Sequence, residues 1–272
     1  RERGWQYWHQ LFNPRQLLIM GLFISAIDDL ARNERELAIG LLGVNKIADW
    51  NSKLCVWHNG GHVENPQNTF LNQALNTLNN YGTRALMNVL NSWDFNVNNS
   101  KFNYNGKITV QDARSITDEC DIWITDPPYA DAVNYHELSE FFLAWDSSLI
   151  KRLFPNWYTD SKRVLAVKGV GETFNTSMIE VYKNLANNMS DNGTQVVMFT
   201  HQNVKVWADL AMILWSSGLR VISAWNIATE TESGGRKRGN YGKGTVLLVL
   251  KKQSSNDIAF QDELYRKIKN EV

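Results

Sequence analysis

From about residue 107 onward the sequence alternates short, nearly uninterrupted apolar runs with stretches of helical periodicity, and this limits the fold to few options. Strand character marks Lys107-Ile108-Thr109-Val110, Ile122-Trp123-Ile124-Thr125 and Gln195-Val196-Val197-Met198-Phe199-Thr200. It returns in Arg220 to Trp225 and in Thr245 to Leu250. Between these runs, helices are expected from about Asp131 to Trp145 and from Val206 to Ser217, the latter with Trp207, Leu210, Ala211 and Leu214 on one face. Apolar strands alternating with helices predict a mainly parallel sheet covered on both faces, an α/β fold. Only a glycine-rich loop separates the last two strands, so those two are expected to be antiparallel neighbours.

The first 106 residues have a different texture, of helices and polar loops. Asn13 is placed to cap a helix whose first position is Pro14, with Leu17, Met20, Phe23, Ile24 and Ile27 at helical spacing. A second helix is expected from Glu34 to Trp50 and a third from about Phe70 to Leu90, with turn material at Asn59-Gly60-Gly61-His62 and Asn65-Pro66. The chain thus divides into a helical region (1–106), an α/β region (107–252) and a polar amphipathic tail helix (253–272).

Composition narrows the function classes. The 272 residues are 43% hydrophobic, enough for a sizeable core, and exclude disorder, collagen and a disulfide-stapled miniprotein. The 28 basic and 28 acidic side chains cancel, which argues against a stand-alone nucleic-acid binder driven by bulk charge. Cys55 and Cys120 fit a reducing, cytoplasmic compartment and cannot supply a tetrahedral zinc site, so no metal is expected, even with His58 near Cys55. The apolar run Leu17 to Ile27 is shorter than the roughly 20 residues that span a bilayer, and no membrane association is expected. Arg1 in place of an initiator methionine points to a portion of a longer polypeptide.

Asp126-Pro127-Pro128-Tyr129 follows directly on the strand ending at Thr125. One reading is a rigid strand-to-loop turn, since two prolines fix the backbone and remove donors. The other is a ligand site, because open α/β sheets bind ligands beyond the carboxyl ends of their strands. The residue types suit one chemistry. An exocyclic amine of a nucleobase is a poor nucleophile because its lone pair is delocalised into the ring. The Asp126 carboxylate and the Pro127 carbonyl can each accept one of its N–H bonds, drawing the nitrogen towards tetrahedral geometry. Neither proline offers a competing N–H, and Tyr129 presents a ring on which a flipped-out base can stack.

This motif resembles that of the amino-methyltransferases, which place Asp/Asn/Ser-Pro-Pro-Tyr/Phe at the end of the fourth strand of a seven-stranded fold dependent on S-adenosyl-L-methionine. Leu11 to Leu17, Asn51-Ser52-Lys53-Leu54-Cys55-Val56-Trp57 and Asp126 through Phe142 look like the large adenine-specific DNA methylases that contain a zinc ribbon. Phe199-Thr200-His201, Trp207 with Leu210, and Ala224 to Glu230 echo their later segments. The resemblance implies part of a Rossmann-like class I methyltransferase sheet with an inserted helical region in its N-terminal half. It also implies catalytic roles for Asp126, Pro127, Pro128 and Tyr129, and DNA as partner.

The family's cofactor loop, of the type Asp-Pro-Phe-x-Gly-x-Gly, and its zinc-ribbon cysteines have no counterpart in this sequence. Gly169-Val170-Gly171 lacks the acidic strand end such a loop needs, and Gly40-Leu41-Leu42-Gly43 lies inside a helical pattern. The cofactor would therefore require a cofactor-binding half upstream, in the same polypeptide or in a separate subunit. Asp112-Ala113 resembles the Asp-Ala that contacts the cofactor's adenine, with a capping or turn aspartate as the alternative.

Several residues could reach a nucleic acid. Asn134, Tyr135 and His136 open the helix after the motif and either line a pocket or cap that helix. His201 follows a strand at the same sheet edge as Asp126 and could contact a base or phosphate, or be incidental. Arg236, Lys237 and Arg238, in the glycine-rich segment from Gly234 to Gly244, could neutralise phosphates or form a solvated loop. The leading expectation is transfer of a methyl group to adenine N6 of DNA. The alternatives are another amine (cytosine N4, RNA or a protein glutamine) and a non-catalytic nucleic-acid or partner-binding module.

Overall fold

Asn13 starts the first helix as its sequence suggests. In the computed structural model, its Oδ1 accepts from the Gln16 backbone N–H at 2.9 Å while Gln16 Oε1 accepts from the Asn13 N–H at 2.8 Å. This reciprocal pair satisfies two otherwise orphaned donors. The structure describes residues 5–55, 57–58, 65–66, 68–70, 92–94, 106–128, 135–157, 165–167, 171–228 and 244–254. Among them lie five α-helices: α1 (Pro14–Leu30), α2 (Glu34–Trp50), α3 (Tyr135–Leu153), α4 (Glu172–Asn187) and α5 (Val204–Ser216). The strands are β1 (Trp57–His58), β2 (Asn65–Pro66), β3 (Cys120–Thr125), β4 (Met189–Phe199), β5 (Leu219–Ile227) and β6 (Thr245–Lys252). The helix expected over 70–90 falls almost entirely outside the described residues, as does the tail helix.

The chain forms two units, Arg1–Val110 with Asn134–Val164, and Gln111–Val133 with Leu165–Val272. In the first, α1, α2 and α3 pack around Phe12, Met20, Val44, Ile47 and Phe141, all buried. Aromatic rings fill this core: Phe12 stacks on Phe141 at 5.9 Å and meets Trp145 edge-on at 4.9 Å. The α3 helix runs on to Leu153 rather than ending near Trp145. Its apolar stripe continues through Leu149 and Leu153, which pack against Leu37 and Leu41, and the polar Asp146-Ser147-Ser148 does not interrupt that spacing. Pro155 then bars continuation. The β1–β2 pair is a two-residue antiparallel bridge, Trp57 opposite Pro66 and His58 opposite Asn65.

The second unit is a mixed α/β layer whose four-stranded sheet has the order β3-β4-β6-β5. Only β3 and β4 are parallel; β6 inserts antiparallel between β4 and β5. The antiparallel β5–β6 pairing follows expectation, but the mainly parallel sheet does not hold among the described strands, because that hairpin makes two of the three pairings antiparallel. Lys107–Val110 is not a strand. It runs without strand pairing, with Ile108 75% exposed, because a four-residue run needs a partner edge to become a strand.

Helix coverage also departs from expectation. The α4 and α5 helices bury one face of the sheet around Phe174, Met178, Tyr182, Val197, Phe199, Leu214 and Leu250. The α4 helix carries its own signal in Phe174, Met178, Val181 and Leu185, spaced three and four apart. On α5, Ile213 rather than Ala211 joins Leu210 and Leu214 in the core. The opposite face remains open among the described residues: Ile122 is 62%, Ile124 67% and Trp225 61% exposed. Near-continuous apolar runs therefore signalled strands fit for burial on two sides, of which the described helices cover one.

Two glycines fix the chain path. A Cβ on Gly193 would lie 2.8 Å from the Ser190 carbonyl oxygen and 3.0 Å from that of Asp121, where β4 bulges against β3. Gly218, at φ 79°, makes the left-handed turn that ends α5 and starts β5.

Candidate active site

Parallel pairing of β3 with β4 brings their carboxyl ends to one edge of the sheet, with Thr125 in register with Val197. Asp126 leaves β3 at that edge. Its side chain is exposed, whereas Pro127 is buried and Pro128 half-buried. The two prolines help line a small apolar hollow with Phe174, Met178, Phe199 and Leu210, at the starts of α4 and α5. The burial of Pro127 anchors the turn and leaves the carboxylate of Asp126 facing solvent. Among the described residues no hydrogen bond engages that carboxylate.

A buried tyrosine supports the strand end from below. Tyr182 of α4, 1% exposed, places its hydroxyl 3.3 Å from Thr125 Oγ1, and Thr125 Oγ1 also lies 3.4 Å from the Val196 carbonyl oxygen. Burial pushes the Tyr182 phenol up to about 12; the Thr125 contact opposes this, and the negative charge of Asp126 adds to it. Tyr182 therefore stays neutral at physiological pH, next to the carboxylate. Sequence reasoning missed it, because a tyrosine on the buried face of an amphipathic helix reads as core; only its hydroxyl needed a partner, and that partner precedes Asp126 by one residue.

His201 lies beyond the end of β4 at the same edge. Its Nδ1 accepts the Asn203 N–H at 3.0 Å, its ring stacks on Phe199 at 6.5 Å, and its carbonyl accepts from Trp207 Nε1 at 2.8 Å. Phe199 and Trp207 meet edge-on at 5.0 Å. These contacts connect β4 to α5 and leave His201 half-exposed.

Asp112 and Ala113 are not brought to this edge. Asp112 Oδ1 caps a short 3-10 turn (Ala113–Ser115) by accepting the Arg114 N–H at 2.9 Å, and its Oδ2 meets Arg114 Nη2 at 2.6 Å. The Arg114 guanidinium holds the Asp112 carboxyl below its ordinary range. Asn184 Nδ2 donates to the Ala113 carbonyl at 3.1 Å, and Cys120, the first residue of β3, donates its N–H to the Asn188 carbonyl. The turn thus sits near the amino end of β3, opposite the end from which Asp126 emerges.

Tyr129, Asn134, Arg236, Lys237 and Arg238 lie outside the described residues, as does the side chain of Tyr135, the first residue of α3. His136 is half-exposed in the first turn of that helix. The described residues contain no group of three or more His, Cys, Asp or Glu side chains that could hold a metal ion. Cys55 is sealed in the helical unit, donating to the Asp49 carbonyl at 3.3 Å, and burial pushes its thiol up. No described helix is long and apolar enough to cross a membrane.

No protein-family model matches the chain, and no curated protein matches it either. Among solved structures, a Thermus thermophilus protein provisionally described as a DNA modification methylase is similar at 14% identity and a TM-score of 0.31. The similarity covers 58% of this chain and 57% of that one.

Proposed function

We propose that this chain carries the amine-binding part of an S-adenosyl-L-methionine-dependent methyltransferase that acts on N6 of adenine in DNA. One observation carries the reading: Asp126 stands exposed at the carboxyl end of a parallel strand, on a turn anchored by two prolines. A carboxylate held there accepts one N–H of an exocyclic amine, and the Pro127 carbonyl accepts the other. The nitrogen lone pair is then withdrawn from the ring and directed outward. Such pre-organised acceptors cost no rearrangement during reaction, and the stiff Pro-Pro backbone limits their drift.

The base must leave the duplex to reach this edge. Tyr129 is assigned the stacking surface, and Arg236, Lys237 and Arg238 the phosphate contacts, by their residue types and positions in the sequence. Aspartate in the first motif position favours adenine over the other amines considered above.

The cofactor would supply an electrophilic methyl group. The described residues do not by themselves fit it: the Asp112 carboxylate is engaged by Arg114, and no glycine-rich turn follows a described strand towards Asp126. The cofactor-binding groups are accordingly assigned to a further segment or subunit.

The test is methyl transfer from labelled S-adenosyl-L-methionine to DNA by the polypeptide encoded together with its flanking sequence, with the modified base identified by mass spectrometry. N6-methyladenine is expected, and Asp126→Ala should abolish it. Another modified amine would reassign the acceptor, and undiminished transfer by the variant would remove Asp126 from the chemistry.

A further inference from the structure

In the helical unit, Asn45 of α2 and Asp146 of α3 face one another in the core. Asn45 Nδ2 donates to Asp146 Oδ2 at 2.9 Å, and Asp146 is 1% exposed. The two remaining side-chain oxygens, Asn45 Oδ1 and Asp146 Oδ1, are both buried and, among the described residues, both without a partner. With an ionised carboxylate each is an acceptor facing no donor, a costly arrangement in a core. Turning the Asn45 amide over exchanges the roles of its two atoms and still leaves an acceptor unmatched. A single proton on the carboxyl group removes both defects.

We propose that Asp146 is a neutral carboxylic acid in the folded protein, its Oδ1–H donating to Asn45 Oδ1 while Asn45 Nδ2–H donates to Asp146 Oδ2. The result is a two-bond clasp between α2 and α3 that opens when the acid gives its proton to solvent. The surroundings support the neutral form. Burial holds the Asp146 carboxyl above its ordinary range, opposed among the described residues by the Asn45 amide and its own backbone N–H. The titratable groups on the packed helices are Arg15, Asp28 and Asp29 on α1, Glu34, Arg35, Glu36, Lys46 and Asp49 on α2, and His136, Glu137, Glu140, Lys151 and Arg152 on α3, with Asp28 pairing with Arg152. None of them enters the balance at Asp146.

The pH dependence has a definite sign. In the unfolded chain the acid ionises near pH 3.9, while in the fold it keeps its proton to higher pH. Between these two values the folded state binds more protons, so stability falls as pH rises and levels off once the buried acid has ionised. The clasp is therefore intact in acid and weakened in base, the reverse of a buried ion pair.

Asp146→Asn tests this directly, because its amide N–H replaces the acid O–H at every pH. Urea midpoints of the 272-residue chain and of this variant, followed from about pH 5 to 9, are read together with the infrared carbonyl band of protonated carboxylic acids. The parent midpoint is expected to fall with rising pH through this group while the variant lacks that fall, equals or exceeds the parent at the alkaline end, and loses one protonated-acid band. A variant less stable than the parent at every pH, or no such band in the parent at the acid end, would overturn the proposal. If Asp146→Asn does not fold, Asn45→Ala decides: the band must shift in frequency when the acid loses its acceptor, and an unmoved band contradicts the clasp.

Discussion

The hydroxyl of Tyr182 and Oγ1 of Thr125 lie 3.3 Å apart beneath the residue that leads into Asp126. The phenol is buried and pushed up to about 12, against an ordinary value of 10.0. A group raised in this way stabilises the fold fully below its unfolded value. That contribution is lost as pH climbs towards the folded one. The parent should lose on the order of 2–3 kcal/mol of stability between about pH 10 and 12 through this residue. Tyr182→Phe should lack that loss while costing about 0.5–1.5 kcal/mol at neutral pH for the missing hydroxyl contact. Urea denaturation at stepped alkaline pH measures both.

The two faces of the sheet should respond oppositely to charge. Lysine at Ile124 or Trp225, both more than half exposed, should change stability by about 0.5 kcal/mol or less. Lysine at Val197 or Leu250, each 0% exposed beneath α4 and α5, should cost more than about 3 kcal/mol or prevent folding. Denaturation midpoints of the four variants check which face is covered.

Gly193→Ala should destabilise the sheet unit by about 1–3 kcal/mol, because the added methyl meets backbone oxygens of Ser190 and Asp121 that cannot yield as a side-chain tip would. Thermal unfolding followed by circular dichroism measures this. An unaltered midpoint would mean that β3 and β4 do not approach at this bulge.

Asp112→Asn keeps a competent cap but loses the ion pair to Arg114. At neutral pH the cost should be about 1 kcal/mol or less, given that both side chains are partly exposed. Arg114 lowers the Asp112 carboxyl, so this contribution is present above the unfolded value near 3.9 and disappears as pH falls through the folded one. Acid titration of stability should show that loss in the parent and not in the variant.

Local signals in the sequence carried far. Asn13 with Pro14 and Gln16 specified the start of α1, and the apolar runs at 122–125, 195–200, 220–225 and 245–250 each lie within or largely within a strand. The antiparallel β5–β6 pair was legible because its connection has no helical period. The non-local features were not legible. Whether Lys107–Val110 becomes a strand depends on a partner edge elsewhere in the chain, and the α3 end depends on Leu149 and Leu153 finding Leu37 and Leu41. At the site, the position of Asp126 followed from its place after β3, whereas Tyr182 came from a helix, 57 residues beyond its partner Thr125.

The most direct measurement of the central claim is methyl transfer to adenine N6 in DNA by the Asp126→Ala and Asp126→Asn variants beside the parent, with the cofactor-binding segment supplied and cofactor binding followed separately. Loss of transfer in Asp126→Ala by a factor of about a hundred or more, with cofactor affinity unaltered, is the expected result. Transfer at the parental rate in Asp126→Ala would contradict an account in which this carboxylate holds the accepting amine.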